Sequence, residues 1–328
     1  MTAPIRIGIA GYGNLGRGVE AALTQNPDMT LVGVFTRRDP GAVEVLGADT
    51  RVLSQDELPA YQHEIDVLIL CGGSKSDLPV QSPEFASRFS IVDSFDTHAR
   101  IPEHFAAVDA AAREGGTTAL IAAGWDPGMF SLNRVYGEAL LPAGETYTFW
   151  GRGLSQGHSD ALRRVPGVAG AAQYTIPRDE AIAAVRSGAR PTLSRREKHL
   201  RECFVVLEAG ADAAAVREAI VTMPDYFADD DTTVTFISAD ELARDHATMP
   251  HGGFVIRSGK TADGAEQTTE YSLRLGSNPA FTASALTAYA RAVHRLRQAG
   301  TVGAVTVFDV PPGLLSPRSP AQLRAELL

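Results

Sequence analysis

The stretch Ile5-Arg6-Ile7-Gly8-Ile9-Ala10-Gly11-Tyr12-Gly13-Asn14-Leu15-Gly16 decides the fold. A short β-branched run ends in glycine, a GxGxxG string follows, and Leu15 to Leu23 then carries helical spacing. The first glycine permits a tight turn, the second lets a pyrophosphate approach the backbone, and the third lets helix pack on strand. The helix N-terminus adds free N–H groups and a partial positive charge. GxGxxG alone is a weak signal; the flanking strand and helix make it specific for a dinucleotide. Gly11, Tyr12, Gly13, Asn14, Leu15 and Gly16 are therefore candidate cofactor contacts.

Working outward, strand-like and helix-like segments alternate. Leu31 to Phe35, Val67 to Cys71, Ile91 to Asp93 and Thr118 to Ala122 read as strands, and Ala106 to Arg113 as a helix stopped by Gly115-Gly116. The alternation implies βαβ units and a doubly wound parallel sheet of Rossmann type, an α/β fold. An NAD enzyme usually places Asp or Glu about 20 residues beyond the glycines, on the ribose 2′-hydroxyl. Here Thr36-Arg37-Arg38 stands at that point. Guanidinium groups pair with a 2′-phosphate that a carboxylate would repel, so NADP is the expected cofactor; the plain alternative is a solvated strand end. Cys71-Gly72-Gly73-Ser74 closes another parallel strand, on the rim where ligands bind in such sheets.

Beyond about residue 125 the texture changes. Tyr147 to Trp150, Cys203 to Leu207, Thr233 to Ile237, Phe254 to Ile256 and Thr269 to Leu275 read as strands of one open mixed sheet, with helices at Asp179 to Arg186 and Ala211 to Thr222. Ala283 to Gln298 returns to helix and Ala304 to Val310 to strand, and that pair is expected to rejoin the first domain. The expected division is an NADP-binding domain over 1–124, completed by 279–328, and an α+β substrate-binding and dimerisation domain over 125–278. Asp39 to Glu57 reads as a loop.

Composition narrows the function classes. With 328 residues, two compact units are expected, and 44% hydrophobic residues suffice for a core. A net charge of −9, with basic residues scattered except at Arg37-Arg38, Arg163-Arg164 and Arg195-Arg196, argues against nucleic acid as a partner. Those three pairs remain candidates for anionic ligands. Two cysteines, Cys71 and Cys203, in no CxxC spacing, suggest neither disulfides nor a zinc site, and no other metal spacing appears. No apolar run reaches membrane-spanning length, and Met1-Thr2-Ala3-Pro4 leads straight into a strand pattern, so a cytoplasmic protein is expected. Gly153-Leu154-Ser155-Gln156-Gly157 fits the GxSxG of serine hydrolases, but it is expected to lie in a glycine-rich loop without the strand–turn–helix setting that motif needs.

Several longer strings carry a resemblance: Asp93-Ser94-Phe95-Asp96-Thr97-His98, Trp125-Asp126-Pro127-Gly128-Met129, Phe149 to Arg164, Met223-Pro224-Asp225-Tyr226-Phe227, Met249-Pro250-His251-Gly252-Gly253, Asn278-Pro279 and Phe281 to Ser284. In these the chain resembles the diaminopimelate dehydrogenase family over nearly its whole length. The resemblance implies NADP-linked oxidative deamination at the D-centre of meso-2,6-diaminopimelate, giving L-2-amino-6-oxopimelate, which cyclises to tetrahydrodipicolinate, within lysine biosynthesis. It implies substrate contact by Asp96 and Asp126 at the reacting end, where the chemistry requires a base near the amine and near an attacking water. Which of the two is the base stays open, and a D-P-G turn can also be plain helix entry. It further implies Trp125, Trp150, Gln156, Gly157, Thr175, Arg201, His251 and Asn278 along the rest of the substrate, and Asp93, Ser94, Phe95, Ala123 and Gly124 near the cofactor. A core aromatic at Trp150, a surface charge at Arg201 and a structural His251 are the plain alternatives. A homodimer is expected. The competing readings are another NADPH-linked amino-acid or cyclic-imine reductase of dihydrodipicolinate reductase type, and a non-catalytic NADP sensor.

Overall fold

The computed structural model describes residues 3–328, in two compact units. The first unit runs to Leu132 and resumes at Pro279; the second is Asn133–Asn278. Trp125 and Asp126 thus belong to the first unit, whose boundary falls later than the residue 124 expected.

The first unit is built as the opening motif demands. Strand β1 (Ile5–Ala10) leads through the glycine turn into α1 (Asn14–Leu23), followed by β2 (Met29–Thr36), β3 (Val52–Ser54) and β4 (Val67–Leu70). Then come α2 (Leu78–Ala86), β5 (Ile91–Val92), α3 (Ile101–Gly115), β6 (Thr118–Leu120) and the start of α4 (Met129–Leu140). Ile7, Ile9, Val67, Leu68, Ile69, Ile91 and Val92 are wholly buried, as strands covered on both faces must be. One apolar cluster gathers α1 with the long helix Asn278–Gln298, and the other gathers α2 and α3.

In the second unit β7 (Gly144–Trp150) is followed by β8 (Gly153–Leu154), α5 (Gln156–Arg163), β9 (Val168–Pro177), α6 (Asp179–Arg186) and α7 (Arg195–Lys198). Next are β10 (His199–Leu207), α8 (Ala213–Val221), β11 (Asp231–Phe236), α9 (Ala239–Asp245), β12 (His251–Lys260) and β13 (Glu266–Leu275). The chain returns to the first unit through α10 (Asn278–Gln298), β14 (Gly303–Val305) and α11 (Pro320–Leu327).

Seven parallel strands in the order β14-β6-β5-β4-β1-β2-β3 form the first sheet, so the order reverses between β1 and β4. That reversal is where ligands enter a doubly wound sheet. The α/β expectation holds, and β14 rejoins the sheet beside β6.

Three local expectations are corrected. The single open sheet is two: a mixed β11-β10-β9-β8 sheet and an antiparallel β13-β12-β7 sheet. The residues after Val305 leave the strand, because Thr306 caps a 3₁₀ turn with Asp309 reaching back to it. The segment 39–57 is only partly loop, since β3 pairs with β2 there.

Candidate active site

At the glycine turn the three glycines do three different things. Gly11 has φ +92, the left-handed region that a side chain resists. A Cβ on Gly16 would lie 2.2 Å from the Gly11 carbonyl oxygen, so only glycine lets α1 pack here. A Cβ on Gly13 would meet nothing within 4 Å: that face is open, at the N-terminus of α1. An open glycine at a helix N-terminus is the surface a pyrophosphate requires.

At the end of β2, Thr36 is buried and its Oγ1 accepts the Arg38 N–H at 3.1 Å. The Arg38 guanidinium donates to the Tyr12 carbonyl, which sets it against the glycine turn. Arg37 is largely exposed and pairs with Asp77 at 2.9 Å. Asp77 also accepts the Gly73 N–H at 2.8 Å, so Arg37 is held over the Cys71-Gly72-Gly73-Ser74 turn. Asp39, the first carboxylate after the pair, is turned to cap its own 3₁₀ turn. Tyr12 points inward to Glu20, and burial beside that carboxylate pushes its phenol up to about 12. Glu20 also accepts from Thr50 at 2.6 Å and from the Leu46 and Gly47 N–H groups at 3.0 Å, tying the segment after β2 to α1.

Adjacent strands β5 and β6 deliver the two candidate carboxylates. Asp96 follows β5, and its N–H donates to Ser74 Oγ at 2.8 Å, joining this segment to the β4 turn. Asp126 follows β6 in a turn closed by a bridge between Trp125 and Gly128. A Cβ on Gly128 would fall 2.0 Å from the Gly124 carbonyl oxygen. The D-P-G string is thus a closed turn ahead of α4. Ala123 is buried, and Gly124 accepts the Met129 N–H at 3.1 Å. Phe95 is buried, and the Asp93 carboxylate is wholly buried and turned into the protein.

In the second unit the remaining candidates are brought together by register. Arg201 on β10 lies opposite Thr175 on β9, and Thr175 lies opposite Gly153 on β8. Arg201 is only 7% exposed, on an inner strand, so it is not a surface charge. Its guanidinium donates to Thr175 Oγ1 and, at 3.1 Å, to Asp230, itself buried. Arg195 reaches the same Asp230 oxygen at 2.7 Å, and the other oxygen, Oδ1, is buried without a hydrogen-bond partner. Burial draws the Arg201 guanidinium below its usual range while Asp230 opposes that. Two guanidiniums on one carboxylate leave a net positive charge in a desolvated place, the setting a ligand carboxylate fits.

The segment Met249 to His251 gathers the others. Gln156 Nε2 meets Met249 Sδ at 3.0 Å, the Leu154 N–H donates to the Pro250 carbonyl at 2.9 Å, and the Asn278 N–H donates to the Met249 carbonyl at 2.9 Å. His251 opens β12, and a Cβ on Gly153 would strike its ring at 2.4 Å. Gly252 and Gly253 serve backbone approach, since a Cβ on either would lie 2.0 Å from a carbonyl oxygen of β13 or β7. Gly157, at the start of α5, faces open space. The Trp150 N–H donates to His199 Nε2 at 2.9 Å, and the two rings stack at 5.4 Å. His199 is therefore neutral, with its proton on Nδ1; burial and the Arg201 charge pull it down to about 3. His158 is pulled to about 4 for the same reasons.

The GxSxG string lies differently than expected: β8 precedes Ser155 and α5 follows it, with Ser155 as the N-cap and its Oγ 2.9 Å from His158 Nδ1. Two further arginines of the basic pairs are engaged structurally, Arg163 with Asp160 and the Ala171 carbonyl, Arg196 with Asp231. Sequence reading missed Asp230, His199 and Pro250. Asp230 sits in an acidic run, Asp229-Asp230-Asp231, that reads as solvated surface, and His199 is an isolated histidine; neither carries a local signal. Among the described residues no group of three or more His, Cys, Asp or Glu could hold a metal, and no helix is long and apolar enough to cross a membrane.

A parallel doubly wound sheet whose order reverses beside a glycine turn defines a dinucleotide-binding protein. Residues 124–277 match the diaminopimelic acid dehydrogenase C-terminal domain family. The chain is 65% identical over 324 residues to the meso-diaminopimelate D-dehydrogenase of Ureibacillus thermosphaericus, covering 99% of each. A solved, six-fold substituted meso-diaminopimelate dehydrogenase from Clostridium tetani E88, with DAP, superposes at TM-score 0.94 and 52% identity, covering 99% of this chain and 100% of that one. An engineered D-amino acid dehydrogenase bound to NADP+ superposes at 0.87 and 45% identity, covering 99% and 100%. The chain belongs to the meso-diaminopimelate D-dehydrogenase family. The residue types replaced in the Clostridium variant (Gln, Thr, Arg, Pro, His, Asn) recur here in the same order and spacing as Gln156, Thr175, Arg201, Pro250, His251 and Asn278.

Proposed function

We propose that this chain catalyses the reversible, NADP-dependent oxidative deamination of the D-centre of meso-2,6-diaminopimelate. Substrate, NADP+ and water become L-2-amino-6-oxopimelate, ammonium, NADPH and a proton; the keto product cyclises to tetrahydrodipicolinate. The observation that carries this reading is identity of 65% over 99% of the chain with an enzyme of that name, with the buried Arg201 clamp present. Membership favours the dehydrogenase over a cyclic-imine reductase, and the presence of Asp96, Asp126 and Arg201 together supports an enzyme over a sensor.

NADP, when bound, would supply the hydride acceptor for the D-centre Cα. The α1 N-terminus and Gly13 are assigned to its pyrophosphate, Arg37 and Arg38 to its 2′-phosphate, and the segments 71–74, 94–95 and 123–124 to the rim beyond. Asp96 and Asp126 are assigned to the D-centre ammonium. One of them removes the proton that leaves the amine neutral, and a carboxylate then takes a proton from the water that attacks the imine carbon. Arg201, Thr175, His251 and Asn278 are assigned to the remote L-centre, with Trp125, Trp150, Gln156 and Gly157 along the carbon chain. Neutral His158 and His199 leave Arg201 and Arg195 as the positive charges facing a carboxylate. A cytoplasmic homodimer fits the composition and the exposed apolar Val135, Tyr136 and Leu140 of α4.

The test is NADP reduction with meso-, LL- and DD-diaminopimelate and D-lysine, with NAD as control. Strong NADP-dependent turnover on the meso isomer supports the reading. No turnover on any isomer, with NADPH still binding, contradicts it.

A further inference from the structure

One buried carboxylate of the first unit, Asp93, meets four donors, and the proposed reaction gives it no step. Asp93 is the first residue after β5 and is 0% exposed. Its Oδ1 accepts the backbone N–H of Phe95 at 3.0 Å and that of Ala122 at 2.9 Å. Its Oδ2 accepts Ser82 Oγ at 2.6 Å from α2 and stands 2.8 Å from His104 Nε2 on α3. The backbone repeats the link: the Asp93 N–H donates to the Leu120 carbonyl at 3.0 Å, and the Ala123 N–H to the Asp93 carbonyl at 2.9 Å. Phe95 stacks on the His104 ring with centroids 4.0 Å apart, which fixes the segment from its other side.

The two N–H groups on Oδ1 belong to different segments. Phe95 precedes Asp96, and Ala122 leads into the turn that carries Asp126. One oxygen therefore sets the spacing between the two strand ends that bear the candidate reaction carboxylates. Ala122 has φ +56, a conformation an alanine adopts only when its surroundings hold it there, and its N–H ends on Asp93. The second oxygen anchors the pair to two helices of the frame. Four donors on one buried carboxylate are charge-assisted, and each left without an acceptor would carry the full desolvation cost of a buried polar group.

We propose that Asp93 is a positioning residue for hydride transfer: it holds the Asp96 and Asp126 segments at their working separation and touches neither substrate nor cofactor with its carboxylate. This rests on the assignment of Asp96 and Asp126 to the D-centre. Its mark is kinetic. A misplacement well under an ångström slows the chemical step, while the glycine turn that holds NADP stays intact.

The experiment compares wild type, D93N, D93A and D126A in the full chain. The readouts are NADPH affinity by fluorescence, kcat and KM for meso-diaminopimelate, and the primary deuterium isotope effect on kcat with the D-centre Cα deuterated. D93N keeps an oxygen for the two backbone N–H groups and turns its amide toward Ser82, whose hydroxyl can accept, and toward His104, whose other tautomer can accept. It is expected to fold, to bind NADPH within about twofold, to lose about tenfold in kcat and to show a larger isotope effect; D93A is expected to lose about a hundredfold. A merely structural Asp93 would lower the melting temperature and leave kcat and the isotope effect of the folded enzyme unchanged. That outcome in D93N overturns the proposal even where D93A does not fold, provided D126A is crippled. If D126A itself keeps wild-type kcat, the assignment of the D-centre carboxylates falls, and the positioning role with it.

Discussion

The glycine turn of the first unit and the Arg201 face of the second are each assigned to an anion, by opposite means. At the turn the binding surface is backbone: Gly13 is open at the N-terminus of α1, and the side chains that matter are absent ones. Around Arg201 the surface is side chain: Thr175, Arg201 and Asp230 come from different strands or loops and meet because β9 and β10 are in register. A backbone site is written in consecutive residues and tolerates change outside them. A side-chain site is spread over the chain, and each member depends on its neighbours for geometry and charge.

That difference can be broken or sharpened by substitution. The largest effect is expected at the reacting end: Asp126→Ala should lower kcat by about 10²- to 10⁴-fold, the range for a lost acid–base group, with NADPH binding intact in a fluorescence titration. Asp96→Ala measured beside it separates base from ammonium contact, since the base shows the larger loss in kcat and the altered pH profile. Next, replacing Arg37 and Arg38 by Asp and Ser should raise the KM for NADP by about 10- to 100-fold and that for NAD little, as expected for two charged contacts to one phosphate. Unchanged cofactor preference would remove the 2′-phosphate from this strand end. Asp230→Asn keeps the shape and removes the charge under Arg201. It should raise the KM for diaminopimelate by about tenfold and leave that for NADP alone, the loss of one charge-assisted contact.

The smallest effect is on stability. His158 and His199 titrate at about 4 and about 3 in the folded protein, against 6.5 when exposed. Below 6.5 the unfolded chain binds protons that the folded chain does not. Their contribution is therefore complete above pH 6.5 and is lost as pH falls toward 4. The slope is at most about 1.4 kcal/mol per pH unit for each histidine. Denaturant titrations at pH 7, 6 and 5 should show this fall, and His199→Gln should flatten it.

The same contrast explains what the sequence disclosed. The parallel sheet, the glycine turn and the return of the C-terminal segment were legible because strand and helix periods and glycine chemistry are local. Arg201, Thr175, His251 and Asn278 carry no such period and were legible only through resemblance. Asp230 and His199 were not legible at all: a carboxylate in an acidic run acquires meaning only when it is buried against Arg201, and a lone histidine only when it is buried beside Trp150. The division of the second unit into two sheets was equally hidden, because alternation marks a strand without naming its partner. GxSxG shows the reverse risk, where a strand, a serine and a helix occur in order and the serine serves as a helix cap.

The central claim is that the first unit handles the D-centre and Arg201 the remote carboxylate. The most direct test is kcat/KM of wild type and Arg201→Met on meso-diaminopimelate and on D-lysine, which lacks the remote carboxylate. The account predicts a loss of about 100-fold on diaminopimelate and a change within about threefold on D-lysine, because only one substrate presents the group that Arg201 pairs. An equal loss on both would contradict it.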